Sequence, residues 1–99
     1  MKPRVAVGQQ VKTFVKSLAP EPRRTLTRAI KALAQDEGDR KVLEGKLTGY
    51  HRLRVADYRV IYAERSAGGT RILDCLFAER RGVVYQLFQK MLVDELTCE

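Results

Sequence analysis

The sequence contains few of the residues on which disulfide-linked and metal-binding folds depend. It has two cysteines, Cys75 and Cys98, and a single histidine among its 99 residues. Two cysteines cannot form a disulfide scaffold, and one histidine leaves a structural zinc site with too few ligands. We therefore expect a protein of the reducing cytoplasm that requires neither a metal nor another cofactor.

Long apolar stretches are also missing. No run approaches the roughly 20 residues that span a bilayer, and the N-terminal residues Met1 to Gly8 lack the apolar core of a signal peptide. The chain shows no internal repeat and no low-complexity tract. Residues 1–99 are therefore predicted to form a single domain, long enough for one modest core.

Positive charge is what the sequence has in excess. The formal net charge is +7, and the pI is about 9.8. Such a charge favours a polyanionic partner: a nucleic acid, an anionic membrane surface or an acidic protein. The lack of a spanning or leader segment disfavours the membrane, so we expect no membrane partner.

The first half of the sequence has helical periodicity after one short strand. Arg4 to Val7 predicts the strand, and the apolar spacing from Val11 to Leu18 predicts a helix. A second apolar stripe, which starts at Leu26, predicts a helix that the prolines within 19–22 begin and Gly38 closes. Because the break between the helices is short, we expect an antiparallel helical hairpin.

In the second half the period changes to two. Three strands are predicted, at Tyr50 to Val55, Tyr58 to Ala63 and Thr70 to Ala78, with turns at 56–57 and 66–69. The segment from Gly38 to Gly49 is interpreted as a connection with Leu43 and Leu47 as core anchors. The last segment fits a helix or a strand, and its length favours a helix through about Leu96.

The resulting order is β-α-α-β-β-β-α. Helices grouped early and strands grouped late predict an α+β fold, with the helical hairpin packed on one face of a small antiparallel or mixed sheet and a C-terminal helix. The other face of the sheet is then expected to carry arginines.

Three arginines are predicted to lie close together in the strand hairpin. Arg52 and Arg54 share one strand face, while Arg59 lies across the hairpin and joins them or not according to the register. Like charges crowded on a sheet repel, and a phosphate backbone, which arginine binds bidentately, offsets the repulsion. We therefore predict RNA binding, with Arg80 and Arg81 at the border of the same patch.

RNA offers a reaction that suits such a site. Its 2′-hydroxyl attacks the adjacent phosphate and expels the 5′-oxygen of the next nucleotide, so a protein need only move protons and stabilise charge. No metal is required. The arginines would stabilise the charge, and His51, Tyr85 and Glu79 are the candidates for proton transfer.

The segment from Leu47 to Tyr62, LTGYHRLRVADYRVIY, resembles the signature hairpin of RelE/ParE-superfamily toxins. The shared pattern is a leucine–glycine lead-in, a basic–apolar–basic strand, a glycine or aspartate turn, and then Tyr-Arg-aliphatic-aliphatic-Tyr. The likeness extends over nearly the whole chain, as far as the basic segment that ends in Val84-Tyr85.

This resemblance implies the toxin of a type II toxin–antitoxin pair, with a cognate antitoxin as partner. RelE-like members cleave mRNA in the ribosomal A site, which implies mRNA on the ribosome as the second partner. Glu79 stands where some members have arginine, so that Arg80 or Arg81 would substitute for it. The catalytic set implied by the family's positions is Arg52, Arg54, Arg59, Arg81 and Tyr85.

Two other functions remain open. ParE-type toxins share the fold and inhibit DNA gyrase without a nuclease site. The departure at Glu79 also fits a non-catalytic module that binds RNA or the ribosome.

Single residues have structural alternatives as well. Arg59 could pair with Asp57 or Asp74, and Tyr85 could simply pack beside Phe88. Arg52 and Arg54 could form a solvated sheet face. His51 alternates away from those arginines and is expected to be non-catalytic.

Overall fold

The computed structural model describes residues 2–97. A short strand and a helical hairpin are followed by four further strands and a third helix. The elements are β1 (Arg4–Val7), α1 (Gln9–Lys16), α2 (Pro20–Ala32), β2 (Asp39–Val42), β3 (His51–Val55), β4 (Tyr58–Ala67), β5 (Thr70–Arg80) and α3 (Val84–Thr97). Two 3₁₀ turns, Leu33–Gln35 and Gly45–Leu47, flank β2. Within residues 2–97, none of the helices has both the length and the hydropathy of a membrane span.

All five strands form one mixed sheet in the order β1-β5-β4-β3-β2. β1 runs parallel to β5, and the other neighbouring pairs are antiparallel. The β3–β4 hairpin closes through only two residues, Ala56 and Asp57, and Ala56 has a positive φ of 53°. β1 and β2 are therefore the edge strands, and β3 lies between β2 and β4.

The helical hairpin of α1 and α2 covers one face of the sheet. Apolar residues recur at helical spacing in both helices, so each helix presents one apolar stripe to the strands. Val11 of α1 and Leu26 of α2 are fully buried, and they belong to the same core as Leu53 of β3 and Val60 of β4. This core holds the helical hairpin against the side of the sheet to which Leu53 and Val60 point.

α3 covers part of the opposite face. Val84 and Phe88, one helical turn apart, are fully buried in a smaller core with Ile61 of β4 and Phe77 of β5. Leu47, from the second 3₁₀ turn, completes this core. The expectation that this face is left to arginines was therefore wrong for its apolar half, which α3 protects from water.

The fold class predicted from the sequence is confirmed: a small mixed sheet, a helical hairpin on one face and a C-terminal helix. The order of elements differs by one strand, because β2 lies in the segment interpreted as a connection. All four residues of β2 are exposed, so the strand lacks the apolar alternation by which strands are recognised. The observed order is β-α-α-β-β-β-β-α.

The end of α2 also differs from the prediction. α2 ends at Ala32 instead of continuing to Gly38, and Asp36, at a φ of 57°, takes the left-handed position that ends the 3₁₀ turn. The Asp36 carboxylate accepts hydrogen bonds from Arg71 and Arg40, and the bond from Arg71 is the main cause of its lowered pKa. A short polar side chain tolerates this backbone conformation better than most residues do.

Cys75 provides a test of the packing. Its side chain is fully buried in the core beneath the helical hairpin, and burial raises the pKa of its thiol to about 12. Because the thiolate is the reactive form, we expect iodoacetamide to modify Cys75 only after unfolding. Mass spectrometry of a Cys98→Ser variant, with and without denaturant, checks this. Rapid modification without denaturant would contradict the observed packing.

Candidate nucleic-acid interface

The register of the β3–β4 hairpin decides which arginines share a face. Arg54 lies directly opposite Arg59, and Arg52 lies opposite Ile61. Residues directly opposite each other in an antiparallel pair point to the same side of the sheet, and Ile61 is buried beneath α3. Arg52, Arg54 and Arg59 therefore all lie on the α3 side, beside the apolar half of that face.

These arginines line an open cleft of about 620 Å³, here called the cationic cleft. Its lining residues are Lys41, Val42, Leu43, Glu44, Arg52, Arg54, Arg59, Arg81, Gly82 and Tyr85. Five of them are cationic and one is acidic, so the cleft favours anionic ligands. The five residues that the family resemblance implied as catalytic are all among them.

Asp39 of β2 links two of the arginines. It lies opposite Arg54 in the β2–β3 register, and its two carboxylate oxygens contact different guanidinium groups. Oδ2 is 2.6 Å from Nη2 of Arg54, and Oδ1 is 3.4 Å from Nη1 of Arg52. The Arg52 side chain is only 16% exposed, whereas that of Arg54 is 55% exposed. Arg52 is thus held close to the sheet, and Arg54 extends into the solvent.

Arg59 is held by the backbone of its own turn. Its Nη1 donates hydrogen bonds to the carbonyl oxygens of Ala56, at 3.0 Å, and Tyr58, at 2.8 Å. The alternative in which Arg59 pairs with Asp57 or Asp74 is not realised, because those carboxylates pair with other arginines. Carbonyl oxygens orient the guanidinium without neutralising it, so Arg59 remains available to an anion in the cationic cleft.

The passage from β5 to α3 forms the other wall of the cationic cleft. The backbone N–H of Arg81 donates to the carbonyl oxygen of Asp57 at 2.8 Å, which fixes this segment against the hairpin turn. The Arg81 side chain is 68% exposed, and its Nε lies 3.9 Å from the Asp57 carboxylate. Tyr85 lies in the first turn of α3, near the positive end of the helix dipole. Its ring packs against the core that contains Phe88, yet it also borders the cleft.

Three other candidates from the sequence do not line the cationic cleft. Arg80 lies opposite Tyr58 and on the helical-hairpin side, where its guanidinium carbon is 5.9 Å from the centre of the Tyr58 ring. Glu79 lies directly opposite Arg59 in the β4–β5 register, but its carboxylate accepts a hydrogen bond from the backbone N–H of Arg80 at 3.0 Å and it does not line the cleft. His51 stacks on Tyr62, also away from the cleft, as strand alternation predicted.

Sequence reasoning missed two charged residues that line the cationic cleft, Lys41 and Glu44, and a third, Asp39, that pairs with two of its arginines. Asp39 and Lys41 belong to β2, and Glu44 follows that strand. Lys41 lies directly opposite Arg52 in the β2–β3 register, and Glu44 lines the cleft. The signal was weak because β2 consists mostly of charged residues, whose order shows no apolar period.

Comparison with known proteins gives matches among solved structures. No family model and no curated protein matches the sequence. A chain in the archaeal RelE–RelB complex from Pyrococcus horikoshii OT3 has 29% identity and a TM-score of 0.63, over 83% of this chain and 98% of that chain. The RelBE2 toxin–antitoxin complex from Mycobacterium tuberculosis gives 17% identity and a TM-score of 0.64, over 82% and 100% of the two chains.

A YoeB/ParE toxin from Agrobacterium tumefaciens has 15% identity and a TM-score of 0.62, over 79% of this chain and 98% of that chain. In all three comparisons the similarity covers nearly the whole of the neighbour, so it concerns complete domains and not a shared fragment. The chain therefore has the fold of the RelE/ParE superfamily of toxins, as the motif in its β3–β4 hairpin predicted.

Proposed function

We propose that this protein is the toxin of a type II toxin–antitoxin pair and a metal-independent endoribonuclease that cleaves mRNA in the ribosomal A site. The observation that carries the proposal is that four arginines and a tyrosine, from four parts of the chain, line one cleft: Arg52 and Arg54 of β3, Arg59 of β4, Arg81 after β5, and Tyr85 of α3. The similarity of the fold to RelE and YoeB/ParE toxins supports the same conclusion.

The charge of the cationic cleft suits the transition state of RNA cleavage. When the 2′-oxygen attacks the adjacent phosphorus, negative charge builds up on the non-bridging phosphate oxygens. Arg52 and Arg54 approach from the sheet, Arg59 is fixed by the turn, and Arg81 approaches from the opposite wall. Donors held in place before the reaction stabilise this charge without reorganising, which is usually the largest contribution to catalysis.

Proton transfer needs one acceptor and one donor. Among residues 2–97, Glu44 is the carboxylate that lines the cationic cleft, and Tyr85 supplies a hydroxyl there. In the proposed reaction Glu44 accepts the proton of the 2′-hydroxyl as the new P–O bond forms, and Tyr85 donates its proton to the departing 5′-oxygen. The products are a 2′,3′-cyclic phosphate and a 5′-hydroxyl, so no water or metal enters this step.

The proposed partners are an antitoxin and mRNA on the ribosome, both in the cytoplasm. Solved neighbours include RelE chains in complex with RelB. An acidic antitoxin segment would complement a cleft that has five cationic side chains and one carboxylate. Such a segment inhibits by occupying the position of the RNA phosphates.

Induced expression followed by mapping of mRNA 5′ ends tests the nuclease function. We expect growth to stop and new 5′ ends to appear within codons at the ribosomal A site, while uninduced cells lack these ends. A second induction together with the gene of the cognate antitoxin should restore growth and abolish the new ends.

Each rival function has its own result in this experiment. Growth arrest without A-site cleavage contradicts the proposal, and induction of DNA-damage responses would then favour inhibition of gyrase. Arrest with salt-sensitive binding to RNA, but without cleavage on programmed ribosomes, would indicate a non-catalytic binding module.

A further inference from the structure

Asp39 holds an unusual position for an acidic residue in a site that binds anions. Its two carboxylate oxygens contact the guanidinium groups of Arg52 and Arg54, one oxygen for each arginine. The two non-bridging oxygens of a phosphodiester offer the same two acceptors at a similar spacing. The Asp39 carboxylate therefore occupies, in the free protein, the place where a phosphate would bind both arginines.

We infer that Asp39 is an internal competitor for the RNA phosphate: it pairs with Arg52 and Arg54 in the free protein, and a phosphate of the bound RNA displaces it. This inference rests on the proposed function, because it takes RNA as the ligand of the cationic cleft. In this role Asp39 lowers the affinity of the cationic cleft for loosely bound polyanions.

The strand register explains why a carboxylate is present at this place. Lys41 lies directly opposite Arg52, and Arg54 lies directly opposite Arg59, so two pairs of like charges face each other on one side of the sheet. Such pairs are destabilising. In the free protein, Asp39 offsets this repulsion with a charge that belongs to the same chain.

The exposure of the pair explains why RNA can displace the carboxylate. The Asp39 side chain is 45% exposed and that of Arg54 is 55% exposed, and ion pairs in such positions are weak. A phosphate that binds both guanidinium groups replaces both contacts, whereas a polyanion that touches only one of them does not. The released Asp39 carboxylate is then hydrated at the open edge strand β2.

An Asp39→Asn variant tests the inference through RNA binding. The probe is a short single-stranded RNA that carries a 2′-O-methyl group on every ribose and therefore cannot be cleaved. Fluorescence anisotropy measures its affinity across a range of salt concentrations. We expect the variant to bind roughly three- to tenfold more tightly than the wild type at low salt. The slope of log K against log salt should stay close to that of the wild type, because the same phosphate contacts both arginines in the two complexes.

Two control variants separate competition from a general effect of charge. Glu21→Gln removes one negative charge from an exposed ion pair, with Arg24 at 3.3 Å, on α2 and away from the cationic cleft. Asp39→Glu keeps a carboxylate at the cleft and should bind with nearly wild-type affinity. Circular dichroism of Asp39→Asn and Asp39→Glu checks that both variants fold. Equal RNA affinities of Asp39→Asn and Glu21→Gln would overturn the inference, as would weaker binding by Asp39→Asn.

An Arg54→Gln variant distinguishes this inference from the proposed function. If Arg54→Gln binds the RNA as tightly as the wild type, the cationic cleft is not the RNA site, and the proposed function and the inference both fail. If Arg54→Gln weakens binding while Asp39→Asn behaves like Glu21→Gln, the competitor role alone is overturned.

Discussion

Replacing Tyr85 with phenylalanine is expected to slow mRNA cleavage by about 10²- to 10⁴-fold, the usual contribution of a positioned acid or base. The phenolic hydroxyl is the group that protonates the departing 5′-oxygen in the proposed reaction. The ring itself packs against the core beneath α3, and phenylalanine preserves that packing. The variant should therefore keep the fold and the RNA affinity of the wild type while losing its catalytic rate.

Single-turnover cleavage of mRNA on programmed ribosomes measures this effect. Tyr50→Phe is a matched control, because Tyr50 packs against Phe88 in the same core but does not line the cationic cleft. We expect the control to cleave at nearly the wild-type rate. A Tyr85→Phe variant as fast as the control would show that Tyr85 contributes packing only, which is the alternative that its position beside Phe88 left open.

The β3–β4 hairpin is the part of the site that local sequence predicts best. Its strands alternate apolar and basic residues, and only two residues separate them. A two-residue turn pairs Val55 with Tyr58 and, one step further, Arg54 with Arg59. Turn length fixes the register of a hairpin, so the shared face of the arginines was already contained in the sequence, although the position of Arg59 was left open.

The rest of the cationic cleft depends on contacts between distant segments, which local patterns do not reveal. β2 becomes a strand only because β3 offers it a partner, and its charged residues give no signal of their own. β5 continues to Arg80, two residues beyond the predicted end at Ala78, and alternation then turns Arg80 towards the helical hairpin. Arg81 reaches the cleft because its backbone bonds to Asp57 in the hairpin turn.

Tertiary packing, and not local sequence, also decides between helix and strand for the last segment. A period of two places Val83, Tyr85 and Leu87 on one face, whereas a helical period groups Val84 with Phe88. The structure buries Val84 and Phe88 completely and leaves Val83 and Leu87 exposed. The apolar half of the sheet face thus selects the helix, and the helix in turn places Tyr85 at the cationic cleft.

This dependence of Tyr85 on the packing of α3 leads to the prediction with the largest effect on stability. Phe88 is fully buried, and its ring centre lies 5.0 Å from that of Tyr50 and 5.8 Å from that of Phe77. Replacing Phe88 with alanine is expected to lower the free energy of unfolding by about 3–5 kcal/mol, because the lost apolar contacts and the cavity left behind both destabilise the fold. That is a large share of the 5–15 kcal/mol typical of a folded domain.

Chemical denaturation measures the free energy of unfolding, with Leu96→Ala as the control on the same helix. Leu96 is 84% exposed, so its loss should change the stability by less than about 0.5 kcal/mol. Because Phe88 lies one turn from Tyr85, we also expect Phe88→Ala to cleave mRNA more slowly than its folded fraction alone accounts for. A Phe88→Ala variant as stable as Leu96→Ala would contradict the docking of α3 on the sheet. Such a result would also contradict the role of α3 in holding Tyr85 at the cationic cleft.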